Sequence, residues 1–237
     1  MKKILSVLLV LCLMLSCAAA AAEDGLTIVQ ETYVPLTEYD GYAHAQIFIE
    51  VVNNGTQDMQ LGHGCLLALD ADRRVCGSFD LKDWDMYPYV LAPGETAFIV
   101  NNNVPFTLGQ YMAEEIPNYA LHLYDQTAAS AAFPFLTASG ILSRLEDYES
   151  PLYEVTISIT NPTGETIPYI EYIYGVYDEA GKLLFVSRFS VPTEGLEPGA
   201  SMEWTELVNP ETAIWKYWDA QGVKPAVVKV LAYAIEG

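Results

Sequence analysis

The stretch Leu91–Phe98, LAPGETAF, decides the fold because the chain repeats its pattern. A second version, LEPGASMEW, begins at Leu196, 105 positions further on. In both versions a Pro-Gly pair precedes residues that alternate between polar and apolar. Proline presets a negative φ and glycine accepts a positive one, so each pair predicts a type II turn that starts a new strand.

Other residues repeat around the two Pro-Gly pairs. Asn53 in IEVVNNGT matches Asn161 in ISITNPTG at an offset of 108 positions. Asp70 in LLALDADRRV matches Asp178 in YGVYDEAGKL at the same offset. Anchors that recur in the same order at nearly constant spacing predict a tandem duplication, with the second copy beginning near Leu136.

Each copy has the pattern of an all-β domain. Apolar and polar residues alternate with period two at 45–52 and again at 153–160, which is typical of strands with one buried face. Asp- and Gly-rich segments between the strands favour hairpin turns. A short helix is expected before the last strand of each copy, roughly at 107–115 in the first and between Asn209 and Gly222 in the second.

The sequence therefore predicts two tandem immunoglobulin-like β-sandwiches, each with one short helix before its last strand. Residues 23–135 form the first predicted domain and residues 136–237 the second. Each copy is expected to have its own core, so that a fragment from Leu136 to Gly237 should fold by itself.

Residues 1–22 have the composition of a bacterial-type export signal. MKK is a positive start, a run of 13 largely apolar residues follows, and Ala20-Ala21-Ala22 precede Glu23. The apolar run is too short for a spanning helix, and no membrane span is predicted in the mature chain. The protein is therefore expected to be secreted or associated with the cell envelope, with acylation of Cys17 as a lipoprotein as the alternative.

The charge of the chain excludes one class of partner. It contains 31 acidic residues against 11 lysines and arginines, and removal of the signal removes two of these bases. Nucleic acids are polyanions and are held by basic surfaces, so no nucleic-acid partner is expected.

The second copy resembles the FxLYD-domain family of bacterial envelope proteins. The resemblance lies in Tyr174, Val176, Tyr177 and Asp178 of YGVYDEAGK, with Pro198-Gly199 downstream. The first copy matches more loosely, with leucine in place of both aromatic residues. The resemblance implies small tandem β-sandwiches on exported proteins, and it supplies no catalytic residues.

Patterns typical of catalysis and metal binding are weak. There is no G-x-S-x-G, and His63 beside Cys65 in GHGC is interpreted as a loop histidine next to a core cysteine. A zinc set of His63, Cys65 and Cys76 lacks the paired C-x-x-C spacing. A calcium set of Asp80, Asp83 and Asp85 lacks the D-x-D-x-D-G pattern. No cofactor and no metal site is predicted, and the protein is expected not to be an enzyme.

Cys65 and Cys76 are predicted to form a disulfide. They are the cysteines that remain after removal of residues 1–22, and export places them in an oxidising compartment. If the hairpin between them has a four-residue loop, Leu69 to Asp72, they lie directly opposite each other on adjacent strands. Two free thiols are the alternative.

Two tryptophans are the candidate ligand-binding residues. In IWKYW, Ile214 and Trp218 are four residues apart on the predicted helix and should point inward together, with Lys216 in water. Exposed Trp215 or Trp218 rings would form a stacking platform, whereas buried rings would cap the sandwich. The predicted function is a non-enzymatic binding, adhesion or envelope-assembly module with a protein or glycan partner. The alternative is a carbohydrate-binding module or a weak glycoside-active protein.

Overall fold

A computed structural model describes residues 25–37, 43–101, 111–145, 152–208 and 212–235. The predicted export signal and Cys17 lie outside these residues, so both remain predictions. Within the described part of the chain, no helix is long and apolar enough to cross a membrane.

The described residues form strands and short helical segments. In the described ranges, one α-helix and two 3-10 turns, Asp83–Asp85 and Ala113–Glu115, accompany the strands. The strands and the helix are β1 (Leu26–Thr37), β2 (Ala43–Asn53), β3 (Met59–Leu69), β4 (Val75–Leu81), β5 (Met86–Tyr87), β6 (Thr96–Asn101), β7 (Asn118–Thr127), β8 (Phe135–Leu145), β9 (Leu152–Thr160), β10 (Ile167–Asp178), β11 (Leu183–Leu196), β12 (Ser201–Val208), α1 (Thr212–Ala220) and β13 (Pro225–Ile235).

The strand order confirms the all-β sandwich. The first copy has sheets β1-β2-β6-β5 and β4-β3-β7, and the second has one continuous ladder, β11-β10-β13-β8-β9-β12. Strand β8 joins the two halves of this ladder, because Leu136 pairs with β13 whereas Thr137 pairs with β9. The order β1-β2-β6-β5 matches strands A-B-E-D of an immunoglobulin sandwich, and β8-β9-β12 repeats its first three strands.

The helix prediction is confirmed in the second copy, where α1 precedes β13. In the first copy a 3-10 turn, Ala113–Glu115, precedes β7. The earlier part of the segment predicted at 107–115, and the predicted capping residue Asn209, lie outside the described residues.

A buried asparagine explains why each copy needs its L-x-P-G. The Asn53 side chain donates from Nδ2 to the Leu91 carbonyl at 2.7 Å, and the Asn161 side chain donates to the Leu196 carbonyl at 2.8 Å. Both asparagines are fully buried. A buried carbonyl without a donor is costly, so the asparagine holds the strand that leads into the turn.

The Pro-Gly pairs form the predicted type II turns. Gly94 has φ 83° and Gly199 has φ 76°. The Glu95 amide donates to the Ala92 carbonyl at 3.1 Å, closing the first turn. Each turn glycine also donates its amide to the backbone carbonyl of its asparagine, at 2.7 Å in the first copy and 2.8 Å in the second.

The sheet β1-β2-β6-β5 is buried on both faces. On β2, Ile47 and Ile49 pack into a core with β3, β4 and β7, while Phe48 points the opposite way into the core of the second copy. Strand β6 divides in the same way, with Ile99 on the first side and Phe98 on the second. The two copies therefore stack as four layers, because the ladder of the second copy folds into β11-β10-β13, which faces the first copy, and β8-β9-β12, which packs behind it. The core that contains Phe48 and Phe98 is shared with the second copy, and independent folding of the second copy stays a prediction.

A glycine of the second copy receives the Phe98 ring. A Cβ atom placed on Gly175 would lie 2.8 Å from Phe98 Cζ and 3.1 Å from Leu183 Cδ1. Both distances are well inside ordinary van der Waals contact. The absence of a side chain at Gly175, at the centre of β10, is therefore what lets the two copies approach each other.

Replacement of Gly175 by alanine should destabilise the whole chain. We expect Gly175→Ala to lower the free energy of unfolding by about 1–3 kcal/mol, as overpacking does in a close-packed interior. Gly164→Ala is the matched control, because a Cβ there has no heavy atom within 4 Å. Urea denaturation followed by tryptophan fluorescence measures both, and Gly175→Ala with wild-type stability would contradict the proposed packing.

Candidate functional site

Two buried carboxylates lie at the interface between the copies. Glu171 on β10 accepts hydrogen bonds from Arg188 Nη2 and from Tyr233 Oη, both at 2.6 Å. Arg188 also donates to Tyr87 Oη of the first copy at 2.8 Å, with its guanidinium carbon 3.9 Å from the centre of the Tyr87 ring. Because Glu171 and Arg188 neutralise each other, this polar group is tolerated inside the interface.

The second carboxylate lies on β2. Glu50 accepts a hydrogen bond from Tyr177 Oη at 3.0 Å and is also paired with the ammonium group of Lys229. Tyr177 is the second tyrosine of the YGVYD motif, so in this chain that motif contributes directly to the contact between copies. Burial is the main reason that the pKa of Tyr177 is raised above its ordinary value, and the Glu50 charge raises it further.

A groove of about 1060 Å³ lies between the connection of the two copies and the second copy. We call it the junction groove. Residues 130–134 of the connection between β7 and β8 form one wall, residues 163–168 form the opposite wall, and Ala234 and Ile235 complete it. A concave, largely apolar site with a few polar groups is the usual form of a ligand pocket.

The buried network positions a wall of this groove. Phe133 stacks on the Tyr233 ring with centroids 6.1 Å apart, and the hydroxyl of the same tyrosine is bonded to Glu171. On the opposite wall, Thr166 donates its hydroxyl to Glu197 at 3.0 Å. Tyr233 therefore connects the groove with the interface between the two copies.

Sequence reasoning identified the junction but missed the groove. The segment TAASAAFPFLTASG marked the boundary between copies by its small residues. The opposite wall of the groove follows β9, some 30 positions later in the sequence. The two walls come together only in the folded chain. The apolar residues FPF at 133–135, in a segment of otherwise small and polar residues, were the sequence feature that could have indicated the groove.

The structure does not support the predicted tryptophan platform. Trp215 is 6% exposed and Trp218 is 1% exposed, and Trp218 Nε1 donates to the Leu184 carbonyl at 3.1 Å. Ile214 is buried beside Trp218 and Lys216 is exposed, as the helix spacing predicted. A ring inside the sandwich cannot stack on a ligand in water, so α1 is a cap on the second core.

The predicted disulfide is wrong, because both Cys65 and Cys76 are free thiols. Cys65 pairs across the ladder with Asp80, whereas Cys76 lies at a bulge between Val75 and Gly77. The two cysteines are therefore three to four residues out of register, or about 10–14 Å along the strands. A disulfide requires Cα atoms within about 7 Å of each other.

The three aspartates of the calcium set considered from the sequence each have other partners in the structure. Asp85 accepts from the Lys82 amide at 2.8 Å, Asp83 accepts from the Trp84 amide, and Asp80 pairs with the Lys82 side chain. Within the described ranges, no three His, Cys, Asp or Glu side chains are placed so as to hold a metal ion.

The exposed aromatic rings do not form a row. Among the described residues, the large exposed rings are Trp84, Tyr124, Tyr169 and Phe189. Trp84 lies in a 3-10 turn and Tyr124 on β7, while Tyr169 and Phe189 lie on opposite faces of the β10–β11 ladder. Such scattered rings do not form the flat platform that binds a sugar chain.

Comparison with known proteins leaves the family open. No protein-family model and no curated protein matches the chain, so the FxLYD resemblance remains a prediction. Among solved structures, the crystal structure of red sea bream transglutaminase matches at 11% identity and a TM-score of 0.24. The match covers 91% of this chain and 29% of that chain, so this protein spans less than a third of that structure.

The matched structure is that of an enzyme, which contradicts the prediction that this protein is not an enzyme. That prediction is withdrawn. At a TM-score of 0.24, however, the similarity carries no argument for transglutaminase activity.

Glu206 on β12 is a half-buried carboxylate inside the second sandwich. Tyr172 donates its hydroxyl to Glu206 at 2.7 Å. Burial raises the pKa of Glu206 above its ordinary value, and hydrogen bonds from Tyr172, Tyr174 and Trp204 oppose that shift only in part. The ionised form is therefore less favourable in the folded chain than in the unfolded chain.

The shifted pKa predicts how stability depends on pH. At low pH the Glu206 carboxyl is protonated in both the folded and the unfolded chain, so it does not lower the stability. As the pH rises past the pKa in the unfolded chain and then past the higher pKa in the folded chain, ionisation of the carboxyl destabilises the fold. We expect Glu206→Gln to raise the Tm at about pH 7, with the gain disappearing at about pH 4. Glu203→Gln removes one exposed negative charge from the same strand and is the control. An equal gain in both variants at pH 7 would show that burial of Glu206 is not the cause.

Proposed function

We propose that the protein is an exported binding module that acts in adhesion or assembly at the cell envelope, and that the junction groove is its binding site. The predicted export signal at residues 1–22 supports the compartment. The volume and lining of the groove are the observation that supports a binding role. The large acid excess keeps such a protein soluble outside the cell.

The stacked architecture suits this role. Because the two copies share a core, the connection at residues 130–134 is held against the second copy rather than left as a free linker. The Ala132 amide donates to Asp58 of the first copy at 3.2 Å, and the Ala234 amide donates to the Pro134 carbonyl at 3.1 Å. A pre-formed groove loses less conformational freedom on binding than a mobile one, which favours affinity.

The ligand is proposed to be a protein or a glycan of the envelope. The glycan case is the second candidate, since hydroxyls and apolar faces together are what sugar-binding clefts present. Thr163 and Thr166 supply hydroxyl groups beside the apolar Phe133 wall.

Binding of the purified chain to envelope membranes of its native host tests the proposal. We expect Gly164→Tyr, which fills the groove, and Phe133→Ala, which removes a wall, each to weaken binding at least about tenfold, the size of a hot-spot loss of about 1.4 kcal/mol. Thr205→Tyr adds the same side chain to the exposed face of β12 and should bind like the wild type.

Two treatments of the membranes separate the ligand classes. Binding lost after protease digestion identifies a protein partner, and binding lost after periodate oxidation identifies a glycan. If both groove variants bind as the wild type does, while circular dichroism shows them folded, the groove is not the binding site.

A further inference from the structure

The outer face of the sheet β4-β3-β7 brings together four residues of types that can bind a metal. Cys65 at the centre of β3 pairs with Asp80 on one neighbouring strand and with His122 on the other. His63 lies two positions from Cys65 on the same strand and pairs with Tyr124. Directly paired residues, and residues two apart on one strand, lie on the same face of a sheet.

Burial confirms which face this is. Gly64 and Leu66, on either side of Cys65, are buried toward the core, whereas Cys65 is half-buried and His63, Asp80 and His122 are exposed. The four side chains therefore project from the molecule into solvent. The equivalent position of Cys65 in the second copy, 108 residues later, is Ile173, which is buried among the residues packed between the copies.

Sequence spacing did not reveal this set. It associated His63 and Cys65 with Cys76, which lies at the bulge of β4. His122 is 57 positions from Cys65 in sequence, and strand pairing makes it the immediate neighbour.

The backbone spacing suits a transition metal. Cβ atoms of directly paired residues are about 4.5–5.5 Å apart, and those of residues i and i+2 on one strand are about 6.5–7 Å apart. Zinc binds thiolate sulfur at about 2.3 Å and imidazole nitrogen at about 2.0–2.1 Å. Side chains of cysteine and histidine are long enough to reach a common ion above a sheet with these spacings.

The side chains are not in ligating positions in this structure. The His63 ring is stacked on Tyr124, with centroids 4.3 Å apart and 12° between the planes. Asp80 pairs with Lys82 at 3.6 Å. The ion must therefore draw these exposed side chains together by rotation about their side-chain bonds, with no change in the strands.

We propose that His63, Cys65 and His122 bind a zinc ion on the outer face of β4-β3-β7, with Asp80 as the fourth ligand. Two imidazoles and a thiolate favour Zn²⁺ over Ca²⁺ or Mg²⁺, which prefer oxygen ligands. The Cys65 thiol loses its proton when the Zn–S bond forms, so binding releases one proton to the solvent.

Cobalt(II) is the probe, because it occupies zinc sites and gives a thiolate charge-transfer band in the near ultraviolet. The chain starting at Glu23 retains only Cys65 and Cys76, so the source of any thiolate band can be assigned. We expect one Co²⁺ per chain with this band, displaced by Zn²⁺. Cys65→Ser should abolish the band, and His122→Ala should weaken binding at least about tenfold.

Cys76→Ser is the matched control and should keep both the band and the affinity. Circular dichroism shows whether each variant is folded. Co²⁺ bound without a thiolate band would indicate carboxylates of the acidic surface and would overturn the proposal. A band that persists in Cys65→Ser and disappears in Cys76→Ser would overturn it as well, and so would the absence of binding.

Discussion

The whole structure depends on one sheet that has two buried faces. Along β1, β2 and β6, successive side chains point to opposite faces of the sheet. Each set of side chains is buried against a different part of the molecule. The β4-β3-β7 sheet covers the first set and the second copy covers the other. Glu50 lies among the second set, and its partners Tyr177 and Lys229 both belong to the second copy. Removal of the second copy would leave that carboxylate and the Phe98 ring without their partners, which is costly for both.

The two outer faces of the stack differ from the buried ones in the residues that they present. The outer face of β8-β9-β12 is rich in hydroxyl groups that bond to one another, as Thr156 does to Thr205 at 2.9 Å and Thr160 to Ser201 at 2.6 Å. At the other end, Cys65 occupies the position that the buried Ile173 has in the second copy. Polar outer faces on the terminal units are the usual requirement for solubility in repeat proteins.

Local features were predictable from sequence and long-range ones were not. The Pro-Gly turns and α1 depend on residues close in sequence. The Asn53 and Asn161 anchors bond to Leu91 and Leu196, 38 and 35 positions away, and they were recognised because the repeat showed them twice. The disulfide failed mainly because the hairpin turn is closed by the Asp70 amide on the Arg74 carbonyl, later than the expected loop, and the bulge at Cys76 shifts the register by one more residue. Neither feature is visible in an alternating pattern. The second buried face of β2 was missed because Gln46 and Glu50 stand beside Phe48, and such a mixture resembles a solvated face. The junction groove was missed because its walls, residues 130–134 and 163–168, meet only in the folded chain.

Calorimetry of the full chain tests the central claim, that the copies share a core and unfold together. The account predicts a single heat-absorption peak, with a calorimetric enthalpy equal to the van't Hoff enthalpy, as for one cooperative unit. Two resolved transitions, one of them coinciding with the unfolding of a fragment from Leu136 to Gly237, would show that the copies are independent domains and would contradict the account.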